Sequence, residues 1–232
     1  MHRPMSFPIL LAALCVALAP SVSFAQQSFS FHVGGFVPKG EDARSRDDDV
    51  LVNNRDFLAF DISDFKGATL GGEWLVALTD NLEAGLGVGI YSKTSNAVYT
   101  EFVDSDGTEI ETDLKLRIVP FTATVRFLPI GRHAAIVPYV GAGVGVFSWR
   151  YAETGEFVDF SDFSIFRDTF VKTGASAGPV ILGGARVPFG AGSVGFEVRY
   201  QNAKGTLPID DFFGSEIDLG GFSYLATFGI GF

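Results

Sequence analysis

Apolar residues alternate with polar residues or glycine in eight segments of the chain. The clearest segment is 82–91, where leucine, alanine, valine and isoleucine alternate with glutamate, glycine and tyrosine. Because successive side chains of a strand point to opposite faces, this period predicts β-strands with one apolar and one polar face. The eight predicted strands are 28–37, 67–78, 82–103, 109–128, 135–151, 169–187, 193–202 and 219–232.

The apolar positions of the fourth predicted strand change parity. Leu114, Leu116 and Ile118 occupy even positions, whereas the apolar residues from Phe121 onward occupy odd ones. Since proline in a strand favours an irregularity, we expect a β-bulge at Val119–Pro120.

The connections between the predicted strands alternate in length. The short ones are 79–81, 129–133 and 188–192, and the long ones are 38–66, 152–168 and 203–218, with a hairpin tip at 104–107. Short connections at one end and long ones at the other are typical of a transmembrane barrel. With eight strands, both termini lie at the short-turn end.

The polar face of these strands carries unusually small side chains. Many of the 28 glycines fall on it, which suits a narrow barrel interior better than a water-facing surface. Each apolar face runs for roughly 9 to 11 residues, the length that crosses a bilayer. The pattern therefore predicts an all-β protein, an eight-stranded antiparallel up-and-down transmembrane β-barrel, with its apolar face toward lipid. A soluble barrel or sandwich is the alternative.

The first 25 residues have the pattern of a cleavable signal peptide. Arg3 precedes an apolar run at 7–19, which is long enough for a signal but short for a membrane helix. Ser23 and Ala25 supply the small residues that a signal peptidase reads. Cleavage before Gln26 would leave 26–232 as one barrel domain.

The mature chain resembles the small bacterial outer-membrane barrels related to outer-membrane proteins A, X and W. The resemblance rests on the eight strands, the segments 138–145 and 197–200, and above all the final segment 224–232. The end of the chain, an aromatic residue after alternating apolar positions, resembles the signal by which the barrel-assembly machinery recognises members of that family. The corresponding residues here are Tyr224, Phe228, Ile230 and Phe232.

The resemblance implies a location and partners. We expect a monomer in the outer membrane of a Gram-negative-type cell envelope, exported through the signal peptide, with both termini in the periplasm. Its expected partners are outer-membrane lipid, lipopolysaccharide and the barrel-assembly machinery. Because the family is functionally diverse, the resemblance carries less weight for activity.

Charged residues occur on the predicted lumen face. They are Glu73, Glu83, Arg126, Arg186, Glu197 and Arg199. Three acids and three bases balance, and an unpaired charge in so narrow an interior costs several kcal/mol. We expect Glu83 and Arg126 at one level of neighbouring strands, with Arg186 nearby, and a layer of paired side chains that leaves no continuous water pore. Alternatively, Glu83 and Arg186 lie in water at the periplasmic rim.

Acidic residues dominate the predicted outer connections. Taken as 38–66, 93–113, 152–168 and 203–218, these carry 23 acids and 8 bases, within a chain of net charge −10. This charge argues against nucleic acid as a partner. It is consistent with a solvated surface, with divalent cations bridging to lipopolysaccharide phosphates, or with attraction of cationic solutes. The consecutive residues Asp47, Asp48 and Asp49 cannot all converge on one ion, so no metal site is predicted.

Phenylalanines recur in the predicted outer connections, at Phe157, Phe160, Phe163, Phe166 and Phe170, and again at Phe57, Phe60 and Phe65. Three interpretations are open. The long loops can fold over each other and bury the rings, with a short helical turn; the rings can line an apolar vestibule for a hydrophobic solute; or they can be exposed for adhesion.

Enzyme activity and cofactors are not predicted. His133 falls in a short turn, His32 faces the lumen without an evident serine partner, and no nucleophile elbow, phosphate loop or zinc spacing is present. A structural or surface-interaction role is therefore expected, with a narrow, porin-like channel or transporter for a small solute, including a hydrophobic one, as the alternative.

Overall fold

The computed structural model describes residues 27–232, so the predicted signal peptide lies outside the described residues. The strands are β1 Gln27–Pro38, β2 Leu58–Ala59, β3 Gly67–Ala77, β4 Leu82–Val103, β5 Glu109–Phe127, β6 Val137–Val158, β7 Ile165–Phe189, β8 Gly192–Gln201, β9 Lys204–Thr206, β10 Glu216–Asp218 and β11 Gly221–Gly231. The helices are α1 Glu41–Arg44, α2 Asp49–Asn54 and a 3₁₀ turn Ile62–Phe65. None of the helices in 27–232 is long and apolar enough to cross a membrane.

Eight antiparallel strands close into a ring. Their order is β1, β3, β4, β5, β6, β7, β8 and β11, and β11 pairs with β1 again. The backbones of Gln27 and Phe232 hydrogen-bond to each other in both directions, at 3.3 and 2.9 Å. Both ends of the described chain therefore meet at the end of the barrel that carries the short turns. The predicted fold class and all eight predicted strands are confirmed.

The connections define a short-turn end and a long-loop end. The hairpin between β6 and β7 was expected to open at 152–168, but the two strands remain paired as far as Val158 and Ile165. Only 159–164 is left as a loop. The prediction of a long loop here was wrong. Polar residues on both faces suggested a loop, but they are also compatible with a strand pair whose outer face is in water.

The predicted β-bulge at Val119–Pro120 is also wrong. Val88 lies opposite Phe121 and Tyr91 lies opposite Ile118, so the register between β4 and β5 is the same on both sides of the proline. A register shift occurs instead between Val98 and Val103, close to where β2 pairs with β4.

The change of parity in β5 reflects a change of environment along the barrel. Even-numbered residues point inward throughout the strand: Leu114 and Leu116 are buried at the long-loop end, and Arg126 is buried at the short-turn end. Odd-numbered residues point outward, from exposed Lys115 and Arg117 to exposed apolar residues beyond them. Near the loops the barrel is thus apolar inside and polar outside, and toward the short turns this distribution is reversed.

The long-loop end of the lumen is filled by an apolar core. Inward residues of β4, β5 and β6 pack there against α2, β2 and the 3₁₀ turn. Asp48 is the N-cap of helix α2, and its side chain accepts a hydrogen bond from the Leu51 backbone N–H at 2.8 Å. Its residues Val50 and Leu51 are buried in the core. The core therefore covers the lumen from the loop side.

Candidate functional site

Four buried charged residues form one network in the lumen. Arg126 Nη2 lies 2.5 Å from Glu73 Oε2 and 2.8 Å from Glu197 Oε2. Arg199 Nη2 lies 3.0 Å from Glu73 Oε2 and 2.7 Å from Glu197 Oε1. Each arginine thus contacts both carboxylates, and both carboxylates are only 1% exposed. β3, β5 and β8 supply these residues because each places them at inward positions of the alternation.

Glu83 and Arg186 form a separate pair nearer the short-turn end. Arg186 Nη1 donates to Glu83 Oε2 at 2.9 Å, and Arg186 Nη2 donates to Glu83 Oε1. Glu83 and Arg126 are opposite each other in register, as expected. The expected ion pair between them does not form, because the guanidinium of Arg126 turns toward Glu73 and Glu197.

Two uncharged residues complete the lumen network, and neither was predicted from the sequence. The Thr124 hydroxyl donates to Glu73 Oε1 at 2.9 Å, and the Tyr139 hydroxyl donates to Glu197 Oε2 at 3.1 Å. The ring of Tyr139 also lies 4.7 Å from the guanidinium carbon of Arg126 and 5.9 Å from that of Arg186, within range of cation–π contact. Their positions in the alternation could have indicated that they point inward, since Thr124 shares a strand face with Arg126.

Glycine makes the room that this network occupies. A side chain at Gly85 would come within 2.8 Å of Thr124 Oγ1, and one at Gly87 within 2.8 Å of the Thr122 hydroxyl oxygen. At Gly143, a side chain would overlap the backbone of Ala123 on the neighbouring strand. The glycine-rich face is therefore the interior, where backbone approaches side chains and neighbouring strands closely.

Cavities occur on both sides of the network. On the loop side, a cavity of about 30 Å³ lies beside His32, Thr122 and Arg199, with room for roughly one or two water molecules. On the short-turn side, an open cavity of about 310 Å³ reaches Glu83, Arg186 and Tyr139. The network and the apolar core lie between this lower opening and the loops.

A carboxyl group is buried at the boundary of the apolar core. Glu153 Oε1 accepts hydrogen bonds from Asn54 Nδ2 at 2.7 Å and from the Tyr151 hydroxyl at 2.9 Å. Burial raises the pKa of Glu153, and these hydrogen bonds oppose the shift. The expectation that Glu153 is one of the solvated acids of the outer rim is wrong, because β6 continues past the predicted loop boundary and points Glu153 inward.

The three consecutive aspartates point to different partners. Asp47 lies 2.8 Å from Lys204 and 3.1 Å from Lys39, and hydrogen bonding to Lys204 lowers its pKa. Asp48 caps α2 and pairs with Arg44 Nε at 2.8 Å. Asp49 accepts from the backbone of Ser215 and Glu216. These contacts join the first and last outer connections, so all three acids have a structural role in the cap.

Aromatic rings from four outer segments meet at the tip of the loops, in what we call the tip aromatic surface: Phe57, Phe102, Phe160, Phe163 and Phe213. Ring centroids of Phe57 and Phe213 are 4.7 Å apart, and those of Phe102 and Phe163 are 5.9 Å apart. Asp56 and Glu101 border a depression of about 570 Å³ within this surface.

The expected burial of the loop phenylalanines holds for only part of the set. Phe157 is buried and packs against Phe166 and Phe170, whereas Phe160 and Phe163 are exposed. Short helical turns occur in the other loop, as α2 and the 3₁₀ turn Ile62–Phe65, and not in 157–170, which forms the β6–β7 hairpin. Phe163 has a φ of 60°, which belongs to the tight turn of this hairpin.

The last strand presents its alternate residues outward. Tyr224, Phe228, Ile230 and Phe232 are all exposed on the outer surface of the barrel beside β1 and β8. This is the arrangement expected for a terminal strand whose outer face is apolar. Its role in assembly stays a prediction.

Solved structures of small outer-membrane barrels are similar to this fold. Outer-membrane protein OprG of Pseudomonas aeruginosa is 16% identical, with 89% of this chain and 96% of that chain covered and a TM-score of 0.52. Neisserial surface protein A is 11% identical, with 90% and 97% covered and a TM-score of 0.48. The N-terminal barrel domain of P. aeruginosa OprF is 12% identical, with 89% and 97% covered and a TM-score of 0.44.

The likeness to OprG concerns the fold alone, because the sequence identity is low. It confirms, at the level of fold, the resemblance to small outer-membrane barrels. No family model matches the chain, and no curated protein matches it.

Proposed function

We propose that this chain is an integral outer-membrane β-barrel with a structural or surface-interaction role and a closed lumen. The observation that carries the proposal is the network of Glu73, Arg126, Glu197 and Arg199, lying beneath an apolar core that fills the loop end of the same lumen. Two consecutive layers of different chemistry would both have to rearrange before a solute could pass.

The outer surface supports a membrane location. Outward residues such as Leu86, Val88, Val140 and Val144 are exposed and apolar around the short-turn half of the barrel. An apolar surface of this extent is unfavourable in water and calls for lipid. The closed ring satisfies the backbone hydrogen bonds that a bilayer cannot. We therefore propose periplasmic termini, export through the predicted signal peptide, and lipopolysaccharide as surrounding lipid.

The terminal strand supports assembly by the barrel-assembly machinery. Phe232 and Ile230 are exposed at alternate positions at the short-turn end of the barrel, the proposed periplasmic side. We propose a monomer, because the ring is complete within one chain. No catalytic role is proposed: His32 lies in the lumen beside Gly71, and exposed His133 lies 3.5 Å from Asp80.

The surface-interaction part of the proposal rests on the loops. Asp47, Asp48 and Asp49 bind residues of the last outer connection and hold it against the first. Phe160, Phe163 and Phe213 of the tip aromatic surface are exposed. Exposed aromatic clusters of this kind usually have a partner.

A second candidate function is slow passage of a small hydrophobic solute. The observation that favours it is the depression of about 570 Å³, whose lining includes Phe57, Phe102, Phe160 and Phe213 beside four polar residues. Phe57 and Phe102 pack against the apolar core that fills the lumen, so this function would require the core to open.

Conductance and solute flux distinguish the two functions. The refolded wild-type protein in planar bilayers should give no steady conductance, and vesicles containing it should take up a fluorescent apolar solute no faster than empty vesicles. Glu73→Ala and Arg199→Ala loosen the network, and Glu111→Ala, at an exposed carboxylate outside both the lumen and the tip depression, is the matched control. Steady ohmic conductance of the wild type, unchanged by Glu73→Ala or Arg199→Ala, would contradict the closed lumen. Uptake that is lost in Phe160→Ala would favour transport.

A further inference from the structure

Two arginines lie directly opposite each other on the outer surface of the barrel. Arg117 on β5 is the register partner of Arg150 on β6. Ser92 on β4 is the partner of Arg117 on its other side, and Thr173 on β7 is the partner of Arg150. The four residues form one row across four neighbouring strands, which we call the basic row, and all four are exposed.

The basic row lacks a protein counter-charge. Within residues 27–232, neither guanidinium has an ion-pair or hydrogen-bond partner. Like charges directly opposite on a sheet destabilise the pair, since their Cβ atoms stand about 5 Å apart. Lys115, two residues further along the same outward face, adds a third exposed base. The first acidic residue on this face of β5 is Asp113, which lies four residues and roughly 13 Å from Arg117 along the strand.

The height of the basic row coincides with the edge of the apolar belt. On β4 the exposed apolar residues run from Leu82 to Ile90, and Ser92 is the next outward position. Ten residues at about 3.3 Å each, on a strand tilted by about 40°, rise roughly 25 Å, which is the height of the lipid-facing band of such barrels. On the membrane orientation proposed above, the row therefore lies at the headgroup level of the outer leaflet.

The chemistry of the row suits a phosphate. Guanidinium groups bind phosphate oxygens through two parallel hydrogen bonds, and serine and threonine hydroxyls add neutral donors. We propose that Arg117 and Arg150, flanked by Ser92 and Thr173, bind a phosphate of an outer-leaflet lipid headgroup. The lipid is of the lipid A type, whose disaccharide carries phosphates at this depth of the membrane. The contact is direct and needs no divalent cation, unlike bridging through the acidic loops.

Titration of the refolded protein with lipids, in detergent and EDTA, tests the inference by native mass spectrometry. The probes are diphosphoryl lipid A, the same lipid without phosphates, and inorganic phosphate. Wild-type protein should retain diphosphoryl lipid A in preference to the dephosphorylated form, and the double variant Arg117→Gln, Arg150→Gln should bind it about tenfold more weakly. Arg167→Gln is the matched control, because Arg167 is an exposed arginine paired with Glu156; its affinity should equal the wild-type value.

The outcomes separate this inference from the proposed function on which it rests. Equal affinity of wild type and the double variant, or loss of binding in EDTA, would overturn the direct phosphate contact. Inorganic phosphate that displaces the lipid at equal concentration would overturn the lipid as ligand. Folding of the variant is checked by its heat-dependent gel mobility; if it fails to fold, the wild-type comparison of the two lipids decides. A barrel that inserts and stays closed without lipid A preference would leave the proposed function intact.

Discussion

Glu83 on β4 and Arg186 on β7 form a two-point ion pair across the short-turn end of the lumen, with Arg186 Nη1 2.9 Å from Glu83 Oε2. The pair borders the open cavity of about 310 Å³, whereas the network around Glu73 lies deeper in the barrel. The two sets of charges therefore differ in their access to water, and they should differ in what their loss costs.

Removing Glu73 should destabilise the protein by about 3–5 kcal/mol, because Arg126 and Arg199 would then share one buried carboxylate. Glu83→Ala should cost less, about 1–3 kcal/mol, since water can reach Arg186. Urea titrations of the protein folded in lipid vesicles measure both free energies of unfolding. Glu101→Ala is the control and should lie within roughly 0.5 kcal/mol of wild type. If Glu73→Ala matched this control, the network would not be buried as described.

Arginine on the lipid face should be costly near the middle of the apolar belt. Val88 and Val144 are 47% and 65% exposed on this face. Val88→Arg or Val144→Arg should each cost about 2–4 kcal/mol in a bilayer, whereas Leu82→Arg, at the short-turn end of the same belt on β4, should cost only about 0–1 kcal/mol. Folding titrations in vesicles provide the values. No loss for Val88→Arg would mean that the faces are assigned in reverse.

Substitution of lumen glycines by alanine should destabilise the barrel for a steric reason. Gly143→Ala should be more destabilising than Gly87→Ala, because the added Cβ meets the Ala123 backbone at Gly143 but a threonine hydroxyl at Gly87. Gly35→Ala is the control, since its nearest neighbour would be 4.0 Å away. Equal costs at all three positions, measured by the same titrations, would be incompatible with the close approach of β5 and β6.

Glu153 should make the stability of the cap depend on pH. Burial raises its folded-state pKa, so its contribution to stability is fully present below the unfolded pKa and is lost as pH rises through the folded pKa. Glu153→Gln keeps the oxygen that accepts from Asn54 and Tyr151 and removes the charge. The variant should be more stable than wild type near about pH 8, and this difference should shrink toward about pH 4.

Hydrogen exchange of the α2 amides at the two pH values measures this difference where it arises. Glu101→Gln serves as the control, because its carboxyl group is exposed. A constant difference between Glu153→Gln and wild type at both pH values would contradict the raised pKa.

Loss of the terminal aromatic residue should block insertion but not export. Phe232 is 73% exposed at the end of β11, and its backbone pairs with Gln27. Phe232→Asp keeps the backbone pairing and removes the apolar side chain, so the variant should accumulate in the periplasmic fraction of cells. Asn202→Asp, outside the terminal strand, is a control for added charge. Normal outer-membrane levels of Phe232→Asp would exclude an assembly role for this residue.

The alternation of apolar residues with glycine and polar residues determined the strands, their faces and the closed barrel. This is because a period of two has one structural meaning, and a face of glycine, threonine and charge fits only a narrow interior. The same parity placed Glu73, Glu83, Arg126, Arg186, Glu197 and Arg199 inside. Period and composition are local properties of the chain, so no tertiary information was needed for them.

The tertiary structure alone decided which charges pair and where the environment inverts. Glu83 prefers Arg186, and Arg126 turns to Glu73 and Glu197, because pairing across a barrel depends on tilt and side-chain reach as well as register. The apolar residues Leu114 and Leu116 suggested a shift of parity in the sequence. They point inward because loops from distant segments cover that end of the lumen with an apolar core. The alternation of apolar and polar residues distinguishes the two faces of a strand, but only the packing of remote segments decides which face meets water, lipid or the core.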